Sequence, residues 1–168
     1  SAAESFGGSL QSRGARAGDR VAILLPNGVD AAITLWGALE AGCIIVPLHA
    51  ALRGGPLTQT LRDADPQWLV VSGNAEAQQS ACSSAGLGAT VIQFERQELE
   101  PGTHLPDSNR NDSDLAALIY TSGSTGEPKG VMLSHANMSA AIGMVSGYLQ
   151  LTSEDIIHSA LPLSSSYG

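Results

Sequence analysis

The sequence predicts an α/β fold, a largely parallel sheet with flanking helices, and three observations carry that prediction. Short, continuously apolar runs recur at residues 21–25, 43–46 and 68–71, and a mostly apolar run follows at 89–94, the pattern of strands covered on both faces. Segments with helical spacing separate the first three of them, and a weaker helical segment precedes the fourth. Glycine and proline punctuate the boundaries, which gives the order strand, helix, strand, helix, strand of a βα-repeating domain.

Residues 1–13 are rich in Ser, Ala and Gly and read as a helix with Leu10 inward. Gly18-Asp19 makes a turn, and residues 20–25 form the first strand. Pro26-Asn27-Gly28 breaks it. Val29, Ala32, Ile33 and Trp36 then fall at i, i+3, i+4 and i+7 and predict a helix. Gly42 is placed to stop this helix. Residues 43–46 form the second strand, closed by Pro47. A second helix begins at Pro56, with Leu57, Leu61 and Ala64 on one face, and ends at Asp65-Pro66 because the residue before proline avoids helical angles. Residues 68–72 and 89–94 are the third and fourth strands, with a weakly helical segment at 75–85 between them. Crossovers of right hand are expected.

About residues 95–114, polar and punctuated by Pro101, Gly102 and Pro106, read as an exposed linker. Residues 115–120 return to a strand. Ser134 is placed to cap a further helix with an apolar stripe of Met138, Ala141, Ile142, Val145 and Leu149; with Asn137 where Glu or Gln would sit, no capping box is expected. Residues 156–160 read as a last short strand.

The 168 residues suffice for one ordinary domain. The chain carries 16 Asp and Glu against 8 Lys and Arg, so it lacks the basic footprint of a nucleic-acid binder. Cys43 and Cys82 form no CxxC pattern, and the four histidines show no metal-ligand spacing. No apolar run approaches the roughly 18 residues of a membrane span, and the expected location is cytoplasmic.

The chain's single lysine, Lys129, lies in Tyr120-Thr121-Ser122-Gly123-Ser124-Thr125-Gly126-Glu127-Pro128-Lys129-Gly130. Glycines let backbone N–H groups approach a ligand, four hydroxyls can donate to phosphate oxygens, and one ammonium adds a positive charge. The segment reads as a polyphosphate cradle. It is not a Walker A loop, because Pro128 precedes the lysine and Gly130 follows it. A bare Gly/Ser turn is the plain alternative.

Residues 121–130 match throughout the Thr-Ser-Gly-Ser/Thr-Thr-Gly-x-Pro-Lys-Gly signature of the adenylate-forming (AMP-binding) superfamily, and the chain resembles its acyl-CoA synthetase-like members. Gly18-Asp19-Arg20-Val21-Ala22 and the run from Leu39 to Leu48 are similar to further family segments and read as scaffold. Val131-Met132-Leu133-Ser134-His135 is similar to the stretch that follows the loop in acyl-CoA synthetases; His135 reads either as a nucleotide contact or, more simply, as a polar cap. The segment from Leu161 to Gly168 resembles Leu-Pro-Leu-Phe-His-x-x-Gly, with Ser164 and Ser165 where the family has its aromatic and histidine. Ser164-x-Ser166-x-Gly168 lacks the first glycine of a hydrolase nucleophile elbow, and no acid or histidine partner for it is visible.

The resemblance implies ATP-dependent activation of a carboxylic acid, a fatty or aryl acid, as an acyl-adenylate, followed by transfer to a thiol, with coenzyme A the expected acceptor. By resemblance, Thr121, Ser122, Gly123, Ser124, Thr125 and Gly126 wrap the β- and γ-phosphates and Lys129 neutralises the departing pyrophosphate. Mg²⁺ is expected with the nucleotide, and which hydroxyl touches it is left open. The family's adenine, ribose and carboxylate motifs are not found, so the chain is expected to be the N-terminal part of a partial adenylation domain from a longer ligase, inactive by itself. Two other readings stand beside this one: a non-catalytic phosphate-binding or interaction module, and a generic ATPase that releases orthophosphate without an acid.

Overall fold

A computed structural model describes residues 1–73, 75–99, 110–122 and 128–165. Among them, six strands form one sheet in the order β4-β3-β1-β2-β5-β6. The strands are β1 (Arg20–Leu24), β2 (Ile44–Pro47), β3 (Trp68–Val71), β4 (Thr90–Gln93), β5 (Leu115–Ser122) and β6 (Pro128–Ser134). The helices are α1 (Ala2–Ser12), α2 (Val29–Glu40), α3 (Gly54–Ala64), α4 (Ala75–Ala85) and α5 (His135–Leu149). The first five strands run parallel and β6 alone is antiparallel, paired to β5. The α/β architecture with a mostly parallel sheet is therefore as expected.

Alternation along the strands explains the layers. Val21, Ile23, Ile45, Trp68 and Val70 pack on one face with Ala31 and Ala38 of α2 and with Phe6 and Leu10 of α1. Ala22, Leu24, Val46, Leu69 and Val71 pack on the other with Leu57 and Leu61 of α3 and Cys82 of α4. Both faces are covered, so β2 and β3 are apolar and buried at every position. From β1 the chain steps one way to β2; from β2 and β3 it steps the other way. Crossovers of one hand then put α2 and the pair α3/α4 on opposite faces.

The turn chemistry follows the sequence closely. α2 ends in a Schellman motif, with Gly42 at φ 82°, its N–H donating to Leu39 O and that of Cys43 to Ala38 O. α3 begins two residues before Pro56, which costs nothing because first-turn N–H groups have no intrahelical partner. It ends at Asp65, left-handed at φ 43°. Arg20 holds that residue through two 2.9 Å bonds, one to its carbonyl and one to its carboxylate.

Two expectations are corrected, and two helix faces lie otherwise than their apolar spacing suggests. In α2 the buried residues are Ala31, Thr34, Gly37, Ala38 and Leu39, while Val29 and Trp36 are exposed, Trp36 at 55%. The helix packs through small residues, because α1 lies directly on Gly37. The apolar stripe of α5 is not buried either; Ile142, Val145 and Leu149 are exposed, since nothing in the described chain packs over them. The capping box of α5 is present: Asn137 N–H donates to Ser134 Oγ at 3.2 Å and Ser134 N–H to Asn137 Oδ1 at 3.0 Å, the amide oxygen serving as a Glu carboxylate would. Residues 156–160 form no strand, and Ile156 is 97% exposed; an apolar run with no neighbouring edge to pair with stays irregular. Residues 100–109, half of the segment expected as a linker, lie outside the described residues, and its near end carries a 3-10 turn at Arg96–Glu98.

Candidate functional site

The site is built on the hairpin of β5 and β6. Small Ala116 and Ala117 seat β5 fully inside the sheet, Ala117 opposite Ile45 of β2. Beyond them the strand runs to its C-terminal end, where Tyr120 faces Gly130, Thr121 faces Lys129 and Ser122 faces Pro128. β6 was not foreseen; a Gly- and Pro-bearing segment reads as loop, and only pairing with β5 makes it a strand. Lys129 and Thr121 are both exposed and, as direct partners, lie on one face with Cβ atoms about 5 Å apart. Gly123, Ser124, Thr125 and Gly126 lie outside the described residues, and Ser122 is placed by its backbone pairing with Pro128.

Beside the hairpin neck is a cleft of about 300 Å³ at the carboxyl ends of β2 and β5, lined by Pro47, Leu48, His49, Tyr120, Thr121 and Ser164 among others. A second hollow over the ends of β1 and β2 shares Pro47, Leu48, His49 and Ser164 with it. The segment after α5 returns to wall both. It is held by Asn27, whose Nδ2 donates to Leu161 O at 2.7 Å and whose Oδ1 accepts from Leu163 N at 2.9 Å. The sequence marked Pro26-Asn27-Gly28 only as a break; its tie to residues more than a hundred positions away had no local signal. Ser166 and Gly168, which the hydrolase reading needed, lie outside the described residues.

Tyr120 is the most perturbed group at the site. Burial, its hydrogen bond to Asp63 and the Asp63 charge push its phenol well above the usual range, against the opposing Arg20 charge. His135 begins α5 at the other end of β6, its N–H on Asp114 O. Six residues of strand separate it from Lys129, roughly 20 Å, which places it away from the hairpin's open end and leaves the polar-cap reading. Among the described residues, no group of three His, Cys, Asp or Glu side chains could hold a metal, and no helix is long and apolar enough to cross a membrane.

An open α/β sheet with its crevice outside the carboxyl ends of the strands defines the class of domain that binds small ligands there. The AMP-binding enzyme family model matches residues 1–168, and the chain belongs to that family. Surfactin synthase subunit 2 of Bacillus subtilis is 33% identical over 92% of the chain, which spans 4% of that relative. The feruloyl-CoA synthase of an Amycolatopsis species is 35% identical over 77% of the chain, which spans 26% of it. The crystal structure of ATP-bound MatB from Rhodopseudomonas palustris superposes with a TM-score of 0.87 at 28% identity, over 99% of this chain and 35% of that one. The chain thus spans about a third or less of these relatives.

Proposed function

We propose that the chain supplies the triphosphate-handling part of an ATP-dependent acid–thiol ligase. A carboxylate oxygen of the acid attacks the α-phosphorus of ATP, the bond to the β-phosphate oxygen breaks, and pyrophosphate leaves. The acyl-adenylate is then attacked by a thiol, coenzyme A in this reading, and AMP departs. Thr121, Ser122, Gly123, Ser124, Thr125 and Gly126 donate to the β- and γ-phosphates, and Lys129 offsets the charge that grows on pyrophosphate. Donors fixed before the reaction are the main tool where an anion must approach a polyanion. Mg²⁺ enters with the nucleotide, since it favours phosphate oxygens and water over all-protein cages; the hydroxyls of the loop suit such a complex.

The observation that carries this reading is the pairing of Thr121 with Lys129 at the open end of the hairpin, beside the cleft, in a family whose structurally similar member was solved with ATP bound. The acid is proposed to be fatty or aryl; the similarity to a feruloyl-CoA synthase supports an aryl carboxylate. A cytoplasmic location is proposed with this chemistry, and residues about 95–114 are proposed as the linker into the phosphate segment.

Turnover is proposed for a longer protein that contains these residues, because the adenine-, ribose- and carboxylate-contacting segments implied by the family are not among the 168. The test is acid-dependent exchange of labelled pyrophosphate into ATP. In the longer protein Lys129→Ala is expected to lower exchange by roughly a hundredfold, the scale of one lost transition-state donor; exchange at the wild-type rate would refute the role of Lys129. Orthophosphate release without any acid would favour a generic ATPase. The non-catalytic alternative rests on the short span of the chain, and exchange by the 168-residue chain itself would exclude it.

A further inference from the structure

The Tyr120 hydroxyl donates to Asp63 Oδ2 at 2.6 Å, and the proposed chemistry uses neither group. Tyr120 immediately precedes Thr121 and faces Gly130, the neighbour of Lys129. Its ring lies so close over Gly130 that a Cβ there would come within 3.1 Å of Cζ and 3.2 Å of the hydroxyl oxygen. One ring therefore spans both strands at the neck of the hairpin, and its far end is tied to α3. The neighbouring Arg20 is engaged with Asp65, so the Asp63 carboxylate meets the phenol beside an ion pair already made. Among the described residues β6 is the last strand of the sheet, with a strand on one side only; the Tyr120–Asp63 link joins its neck to a helix whose Leu57 and Leu61 are anchored in the core.

From this geometry we infer that Asp63 and Tyr120 are positioning residues for the phosphate site: a strut from α3 to the hairpin neck that keeps the Thr121 hydroxyl and the Lys129 ammonium aimed at one triphosphate. The inference rests on the triphosphate reading above. Hydrogen bonds to phosphate oxygens are made only within a few tenths of an ångström of 2.9 Å, so a neck free to swing weakens several of them together.

The test is titration of the longer protein that contains these residues with magnesium-ATP, followed by calorimetry and by amide signals of Thr121 and Lys129. Tyr120→Phe keeps the ring on Gly130 and removes the hydroxyl; Asp63→Ala removes the acceptor; Asp63→Asn keeps one. Tyr120→Phe and Asp63→Ala are each expected to weaken binding roughly three- to tenfold, the scale of one net hydrogen bond, with amide exchange at Thr121 and Lys129 faster even without nucleotide. The double variant is expected to be no weaker than either single one, and Asp63→Asn to bind as wild type. Wild-type affinity in Tyr120→Phe and Asp63→Ala would overturn the strut alone. Asp63→Asn as weak as Asp63→Ala would overturn it in favour of a charge effect. A wild-type longer protein that does not bind magnesium-ATP would instead remove the triphosphate reading and the strut's purpose with it.

Discussion

Gly37→Ala tests the packing of α1 on α2, the contact that most shapes one face of the domain. A Cβ at Gly37 would sit 2.4 Å from the Ala3 carbonyl oxygen, 3.0 Å from Phe6 Cδ1 and 3.1 Å from Gly7 N. Ordinary contact begins near 3.4 Å, so the carbonyl must retreat by about 1 Å, the difference between 3.4 and 2.4. It belongs to a helix backbone and has no rotamer to turn; α1 has to move as a body, carrying Phe6 and Leu10 out of register with the core. Phe6 also meets the edge of Phe94, ring centroids 5.6 Å apart. Overpacking of this kind costs about 1–3 kcal/mol, the upper end where the obstacle is backbone. The helical preference of Ala over Gly returns about 1 kcal/mol. The net is a loss of roughly 2 kcal/mol, or about 4–8 °C in Tm for a chain of this length. Urea unfolding followed by circular dichroism measures it. Gly143→Ala in α5 is the control, since a Cβ there meets nothing within 4 Å, and it should gain up to about 1 kcal/mol. A Gly37→Ala chain as stable as wild type, beside a Gly143→Ala chain that gains, would refute the close approach of the two helices.

Cys43 is 1% exposed, and burial, then the Asp19 charge, push its thiol up to about 12 from 9.0, against Arg110. The folded value lies above the unfolded one, so this contribution is complete below pH 9.0 and is lost as pH rises toward 12, with a slope of up to about 1.4 kcal/mol per pH unit. Unfolding free energies measured across that window should fall more gently in Cys43→Ala; equal slopes would count against the buried thiol. Ser134→Ala removes the acceptor for Asn137 N–H and should cost α5 about 1 kcal/mol, read as faster amide exchange through its first turn; unchanged protection would argue against the cap. Asn27→Ala removes both bonds to the segment at Leu161 and Leu163 and should speed exchange at the Leu163 amide, whereas wild-type exchange there would show that the segment is held by other means.

What the sequence made legible was set by local physics. The doubly covered strands announced themselves as continuous apolar runs, and Gly42 marked its helix end because a left-handed residue was needed there. The faces of α2 and α5 were misread for one reason. Periodicity weights large apolar side chains, and it reports that a face is apolar without reporting what lies on it. In α2 the tightest neighbour required no side chain at all, at Gly37. In α5 the apolar face meets no partner in the described chain, Tyr148 standing 86% exposed. At the candidate site, the proposed donors at 121–130 were visible as chemistry, but Asn27 and Asp63 act on residues 134 and 57 positions away, distances at which no local pattern operates.

The antiparallel edge is what allows the site to exist in a parallel sheet. Parallel neighbours are joined by crossovers of a dozen or more residues, so residues near each other in sequence cannot face each other across a parallel ladder. Thr121 and Lys129 do face each other, because β5 turns back directly into β6 in place of crossing the sheet. The hairpin brings a hydroxyl and the chain's one ammonium side by side at the carboxyl edge, where the crevice lies. Among the described residues it also leaves β6 with a strand on one side only, and the proposed strut from the Tyr120 ring to Asp63 of α3 would then supply from side chains the lateral support that a further strand would give.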